Sequence, residues 1–210
     1  MNTPWRPWMT APRFTPLLGV LIGAAGGGVY WLAAQIWPTS IAVILAMLAT
    51  ALLCAGASPA ADGGPGVQTA STTTAMVFAI LVKYSALMAL SSAKVPFAVP
   101  ANVALGLIMI AGHACSRALL VSIPIAPNRS TGKPASLGDA AIALAIGLAP
   151  AALIGVPGLV GLAGAIVARM AFIAYRRRRR PAIAAADLEA TRQLTEVCFY
   201  LGALAAGAYI

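Results

Sequence analysis

The chain reads as an all-α polytopic membrane protein of about seven transmembrane helices with a cytoplasmic N-terminus. Three observations predict this class. Hydrophobic residues make up 60% of the 210 residues and charged residues only 9%, where a soluble domain carries roughly a quarter charged residues. Mean hydropathy is +0.88. Apolar runs of about 17–25 residues, long enough to cross the hydrocarbon core as helices, recur along the chain, and the alternating pattern of a membrane barrel is absent.

Residues 1–14 form a polar-aromatic N-terminal segment. Trp5 and Trp8 suit an interfacial belt, and Arg6 and Arg13 suit a cytoplasmic start. The apolar run that follows is too long for the core of a cleaved signal peptide, so residues 15–210 are read as a single helical membrane domain. The first span, 15–37, carries Gly19, Gly23 and Gly27 on one helix face. Such a face lets a second helix approach closely where lipid supplies no hydrophobic driving force between spans. Close packing is the expectation, and a ligand groove is the alternative.

The second span, 41–53, is followed by the polar segment 54–74, CAGASPAADGGPGVQTASTTT, which holds Asp62, one of five acidic residues in the chain. An aspartate there is either a piece of a metal–phosphate site or an ordinary turn residue. The third span, 75–91, has Lys83 near its centre, and a charge at that depth should face the bundle interior, a partner or water. The fourth span, 97–123, places His113 and Arg117 one turn apart on the same face. They suit an anionic ligand group, or else Arg117 sits at the membrane edge and snorkels to lipid phosphates.

Residues 124–137 form a polar loop with Arg129 and Lys133, either a flexible basic cover for a phosphate or a plain connection. The fifth and sixth spans, 138–156 and 158–175, are separated at Pro157, and Gly155, Gly158, Gly161 and Gly164 favour close contact. Five consecutive arginines at 176–180 end the sixth span, as a cytoplasmic stop signal and anionic-lipid contact would. Residues 181–193 read as a small-residue loop carrying Asp187 and Glu189, and 194–210 as a short last span with Glu196 one turn in.

With the N-terminus inside, all basic residues outside the spans except Lys94 fall on the cytoplasmic side, the asymmetry expected of a multi-pass protein of a bacterial-type inner membrane. The loops at about 54–74, 124–137 and 176–193 then share one face. The net charge of +9 does not imply nucleic acid, because no stacking aromatics interleave the arginines. The lipid bilayer is the expected partner. Cys54, Cys115 and Cys198 are far apart and lack metal-ligand spacing, so they are read as small apolar core residues.

In order and spacing, four stretches resemble the cobalamin synthases (adenosylcobinamide-GDP ribazoletransferases). TPLLGVLIGAAGGGVYWLA is similar to that family's first helix, and AMVFAILVKYSALMAL, with Lys83, to the helix after its signature loop. SRALL, at Ser116 and Arg117, resembles its Ser-Arg helix, and QLTEV, from Gln193, its last helix. The resemblance runs from about Arg13 to the end. It implies a magnesium-dependent transfer joining adenosylcobinamide-GDP to alpha-ribazole or its phosphate, with release of GMP. Carboxylates would hold Mg2+, and cations would stabilise charge on the transferring phosphate. It further implies Asp62, Lys83 and Arg117 as catalytic residues and Arg129, Lys133 and His113 as substrate-binding ones. Asp62, Asp187 and Glu189 would be the metal ligands.

The acidic motifs depart from that pattern. Against the family's HLDGLADTADG-type loop the chain reads AGASPAADG, with Ala55 and Pro59 at two acidic positions and Asp62-Gly63 retained. A later TGD-type motif reads Ala184-Ala185-Ala186, with Asp187 displaced by one residue. Two readings follow: an active or weakly active ribazoletransferase, or a non-catalytic scaffold or subunit that packs with other membrane subunits. A transporter, suggested by Lys83, Arg117, Arg169 and Glu196 at membrane depth, ranks below both because no paired inverted repeats are visible.

Overall fold

The structure, a computed structural model, describes residues 12–57, 70–92, 101–121, 137–179 and 185–207. Among these residues the chain is all-helical. A single 3-10 turn, Pro12–Phe14, precedes α1 (Thr15–Ala33), α2 (Thr39–Ala57), α3 (Ala70–Ser92), α4 (Ala101–Val121), α5 (Leu137–Leu153), α6 (Val156–Arg179) and α7 (Ala185–Gly207). Long apolar segments of α1, α3, α4 and α6 are long and apolar enough to cross a membrane, and α2 and α5 contribute shorter apolar runs.

The bundle is organised around α4. Its apolar window is 72% buried, against 22% for those of α3 and α6, so α4 is the central helix and the other two lie at the periphery. Helix α4 packs most extensively on α1, and α6 pairs as closely with α7. Small residues make both pairings possible. A Cβ added at Gly19, Gly23 or Gly27 would fall 2.4–2.8 Å from backbone atoms of His113, Ile110 or Gly106 on α4. On the other pair, Gly161 and Gly164 abut the carbonyls of Phe199 and Cys198. The regular glycine faces therefore serve helix packing rather than a ligand groove.

Pro157 marks a helix boundary, as its sequence position predicts. Helix α5 ends at Leu153, Gly155 adopts φ 73°, and α6 begins at Val156 with Pro157 in its first turn. The left-handed backbone at Gly155 favours glycine, and a first-turn proline sacrifices no helical hydrogen bond.

Four predicted loop boundaries need correction. Helix α2 runs on through Cys54 to Ala57, and α3 starts at Ala70, so both ends of the segment read as a polar loop, 54–74, are helical. Helix α6 continues through four of the five arginines to Arg179. The largest change is at 181–193, where α7 already begins at Ala185, so Asp187 and Glu189 are helical residues rather than loop residues. The reason is local: Ala, Leu, Glu, Arg and Gln are good helix formers. Their polar groups are satisfied within the helix by Arg192 and Gln193 donating to Glu189, and by Thr191 donating to the Asp187 carbonyl.

The packing role of the α1 glycines has a direct check. Gly23→Leu is expected to cost about 1–3 kcal/mol, the usual range for overpacking, in thermal unfolding of the detergent-solubilised protein. Gly28→Leu, where an added Cβ meets nothing within 4 Å, should remain near wild type. Equal losses at the two positions would refute the packing assignment.

Candidate functional site

Charged side chains from three helices gather beside a cavity of about 790 Å³. The centre of the cluster is Glu196 on α7, which is fully buried. Its Oε1 pairs with Lys83 of α3 and accepts a hydrogen bond from the Tyr200 hydroxyl at 3.2 Å, while its Oε2 accepts one from Arg192 Nη1 at 3.3 Å. His113 of α4 places Nε2 3.4 Å from the same Oε1. That approach lacks hydrogen-bond alignment, and neither imidazole nitrogen has a hydrogen-bond partner among the described residues.

Local helix geometry explains the arrangement. Glu189, Arg192, Glu196 and Tyr200 follow one another at three- and four-residue steps, so they line one face of α7. Arg192 bridges along this face, donating from Nε to Glu189 Oε2 at 2.9 Å and from Nη2 to Glu189 Oε1. Glu189 is half-exposed and lies ahead of the apolar stretch of α7. Partial burial pushes its carboxyl up, but hydrogen bonds and charge from Arg192 outweigh this and hold it below its ordinary range.

The cavity follows from how α2 and α3 diverge. The second half of α3 packs inward through Ala86, Leu87 and Leu90, whereas Met76, Val77, Phe78, Ile80 and Leu81 in its first half are exposed. Helices α2 and α3 make little contact with each other. The space left between them reaches Lys83, His113, Glu189 and Arg192 on its polar side and Thr50 and Cys54 on α2.

Arg117 sits one turn beyond His113. It is 9% exposed, so it is held inside the bundle rather than snorkelling outward. One guanidinium nitrogen, Nη2, lies 3.4 Å from Cys54 Sγ, and its Nε has no partner among the described residues. The three cysteines carry no disulfide. Cys115 is a buried core residue whose thiol donates to the Gly147 carbonyl at 3.2 Å. Cys54 differs from the expectation of a plain core residue, because it lines the cavity and contacts a buried cation.

The structure thus brings Lys83, His113 and Glu189 to one cavity, with Arg117 beside it. Asp187 is elsewhere: it is buried against Arg176 of α6. It stands two positions from Glu189, and residues at that separation do not share a helix face. Asp62, Arg129 and Lys133 lie outside the described residues. Arg169, raised as a sign of transport, donates from Nε to the Leu119 carbonyl at 3.0 Å, in the last turn of α4, where helix carbonyls lack intrahelical partners.

Two important residues were not among the predicted site set, Arg192 and Glu196. A sequence signal existed for Glu196. Lys83 needs a counter-charge at membrane depth, and Glu196 falls within a predicted apolar span, 194–210.

These features define a multi-pass helical membrane protein with a buried ion cluster at the side of an amphipathic cavity. Comparison with known proteins assigns the family. An adenosylcobinamide-GDP ribazoletransferase of Ralstonia nicotianae is 31% identical over 216 residues, covering 89% of this chain and 81% of the relative. One of Leptothrix cholodnii is 33% identical over 231 residues, covering 94% and 86%. One of Shewanella halifaxensis is 28% identical over 221 residues, covering 91% and 83%. The chain belongs to the adenosylcobinamide-GDP ribazoletransferase (cobalamin synthase) family. No family model matches it, and no solved structure does.

Removing one partner from a buried ion cluster leaves the others uncompensated, which costs about 3–5 kcal/mol. Glu196→Gln should therefore destabilise the protein by roughly that amount in denaturant unfolding from detergent. Lys83→Met combined with Glu196→Leu, which removes both charges, should recover much of the loss. A double variant as unstable as Glu196→Gln alone would contradict the pairing.

Proposed function

We propose that this protein retains the ligand pocket of the ribazoletransferases at the α2–α3 cavity and binds the phosphate-bearing corrinoid adenosylcobinamide-GDP there. We further propose that it joins this corrinoid to alpha-ribazole or its phosphate more slowly than its relatives do. The observation that carries the reading is the convergence of Lys83, His113 and Arg192 on one cavity, in a chain whose relatives bear that name. Three cations, Lys83, Arg117 and Arg192, face two carboxylates, Glu189 and Glu196, so the cluster keeps one net positive charge before His113 is counted. Glu196 holds Lys83 and Arg192 in place, and such pre-positioned donors favour a phosphate without reorganising to meet it. Arg117 has an unsatisfied Nε nearby, and Arg129 and Lys133 would supply further phosphate contacts.

Slow transfer follows from the carboxylates. Magnesium takes hard oxygen ligands, commonly one or two carboxylates together with substrate phosphates and water. Among the described residues no three His, Cys, Asp or Glu side chains form a metal-binding group. Asp187 is engaged by Arg176 and Glu189 by Arg192. The described residues therefore do not make a magnesium site by themselves. The metal role would rest on Asp62, with Glu189 better placed to assist than Asp187, because Glu189 lines the cavity. The bacterial inner membrane is the proposed location, with residues 1–14 and the cavity end of the bundle on the cytoplasmic side.

The test is GMP release from adenosylcobinamide-GDP and alpha-ribazole by purified, reconstituted protein, with and without magnesium, beside the Ralstonia nicotianae relative. Release should be at least about tenfold slower than for the relative, or ~1.4 kcal/mol in barrier, and lost in Asp62→Asn. Rates equal to the relative's would contradict the slow-transfer reading. Binding without any release would assign the chain to the non-catalytic scaffold reading, and failure to bind the corrinoid would overturn the proposed substrate.

A further inference from the structure

The cavity has two walls of opposite chemistry, and one of its mouths faces an unusual direction. Its polar side is formed by Lys83, His113 and Arg192, with Glu189 and Gln193 at its edge. Its other side is apolar, formed by Ile44 and Leu48 of α2 and Ile80 and Leu81 of α3. These four side chains are 47–52% exposed. Residues that line a cavity and are half-exposed outside it mark an opening. By the same mark Glu189 lies at a polar opening, and the four apolar side chains mark a second, the gap between α2 and α3. It opens sideways, through apolar side chains of segments that the hydrocarbon core would surround.

An apolar opening beside a cationic wall suits a ligand that carries both an apolar chain and a charged headgroup. His113 supplies an independent sign of a missing polar partner: it is 1% exposed, lines the cavity, and neither ring nitrogen is hydrogen-bonded among the described residues. Buried polar groups without a partner are uncommon in native structures and call for one. We infer that the cavity admits from the bilayer, between α2 and α3, an amphiphile with a net-negative phosphate headgroup and an apolar chain. The phosphate rests against Lys83, His113 and Arg192, and the chain lies against the α2–α3 mouth. This rests on the cavity being the ligand pocket, as proposed above, and is independent of whether the protein catalyses transfer.

Native mass spectrometry of the full chain in an uncharged maltoside detergent tests the inference. The probes are lysophosphatidic acid, lysophosphatidylcholine and inorganic phosphate. One equivalent of lysophosphatidic acid should be retained, about tenfold more tightly than lysophosphatidylcholine. Arg192→Gln should weaken this retention. Leu48→Trp, which fills the mouth from an outward-facing position and leaves every charged residue intact, should weaken it as well, with helix content by circular dichroism unchanged. Retention of both lipids alike, or no effect of Leu48→Trp, would overturn the inference. So would inorganic phosphate displacing the lipid at equal concentration, which would make this a site for a free anion. Adenosylcobinamide-GDP binding is measured on the same preparation. Corrinoid binding without lipid retention defeats this inference alone, and lipid retention without corrinoid binding defeats the proposed substrate alone.

Discussion

Glu196 carries a negative charge in a helix otherwise packed among apolar spans, with no exposure to solvent. A charge in that setting persists because it is matched, and the matching partners come from several directions: Lys83 from α3, Arg192 and Tyr200 from its own helix, and His113 close by on α4. The constraint reaches beyond the cluster. Most of α3 faces outward, and the Lys83–Glu196 pair joins Ala86, Leu87 and Leu90 on the face that turns inward. Where that pairing ends, the first half of α3 departs from α2 and the cavity begins.

The rest of the bundle supplies rigidity by a different device. Helices α1 and α4, and helices α6 and α7, approach through glycines that leave no room for a Cβ. In lipid, where burying apolar surface between helices gains little, close backbone contact of this kind replaces the hydrophobic driving force of soluble cores. Two tight pairs thus hold His113 and Glu196 at fixed positions, and the looser α2–α3 side leaves space for a ligand. Rigidity on one side and an opening on the other are what a binding pocket within a membrane bundle requires.

Much of this frame was legible in the sequence. The glycines at 19, 23 and 27 gave the face of α1 that meets α4, and the Gly155–Pro157 step located a helix boundary. Lys83 and the His113–Arg117 pair were recognisable as functional candidates because charge at membrane depth is costly. The start of α7 was not legible, because charged and small residues ahead of an apolar run read equally well as a loop. Only the observed hydrogen bonds among Asp187, Glu189, Thr191, Arg192 and Gln193 show that this stretch satisfies itself as a helix. The separation of Asp187 from Glu189 depends on that helical phase. So does the role of Arg192, which sequence reading placed in a loop.

Family membership and local chemistry are thus complementary. The relatives establish the kind of protein, while Asp187, Glu189 and Glu196 are engaged by arginine or lysine side chains. The central claim is that Lys83, His113 and Arg192 form a phosphate-binding wall. An experimental structure in lipid nanodiscs with adenosylcobinamide-GDP added tests it most directly. Ligand phosphate density is expected within hydrogen-bonding distance of Lys83 Nζ, Arg192 and His113, in the cavity between α2 and α3. Phosphate density bound elsewhere, with this cluster unchanged and the cavity filled only by lipid chains, would contradict it.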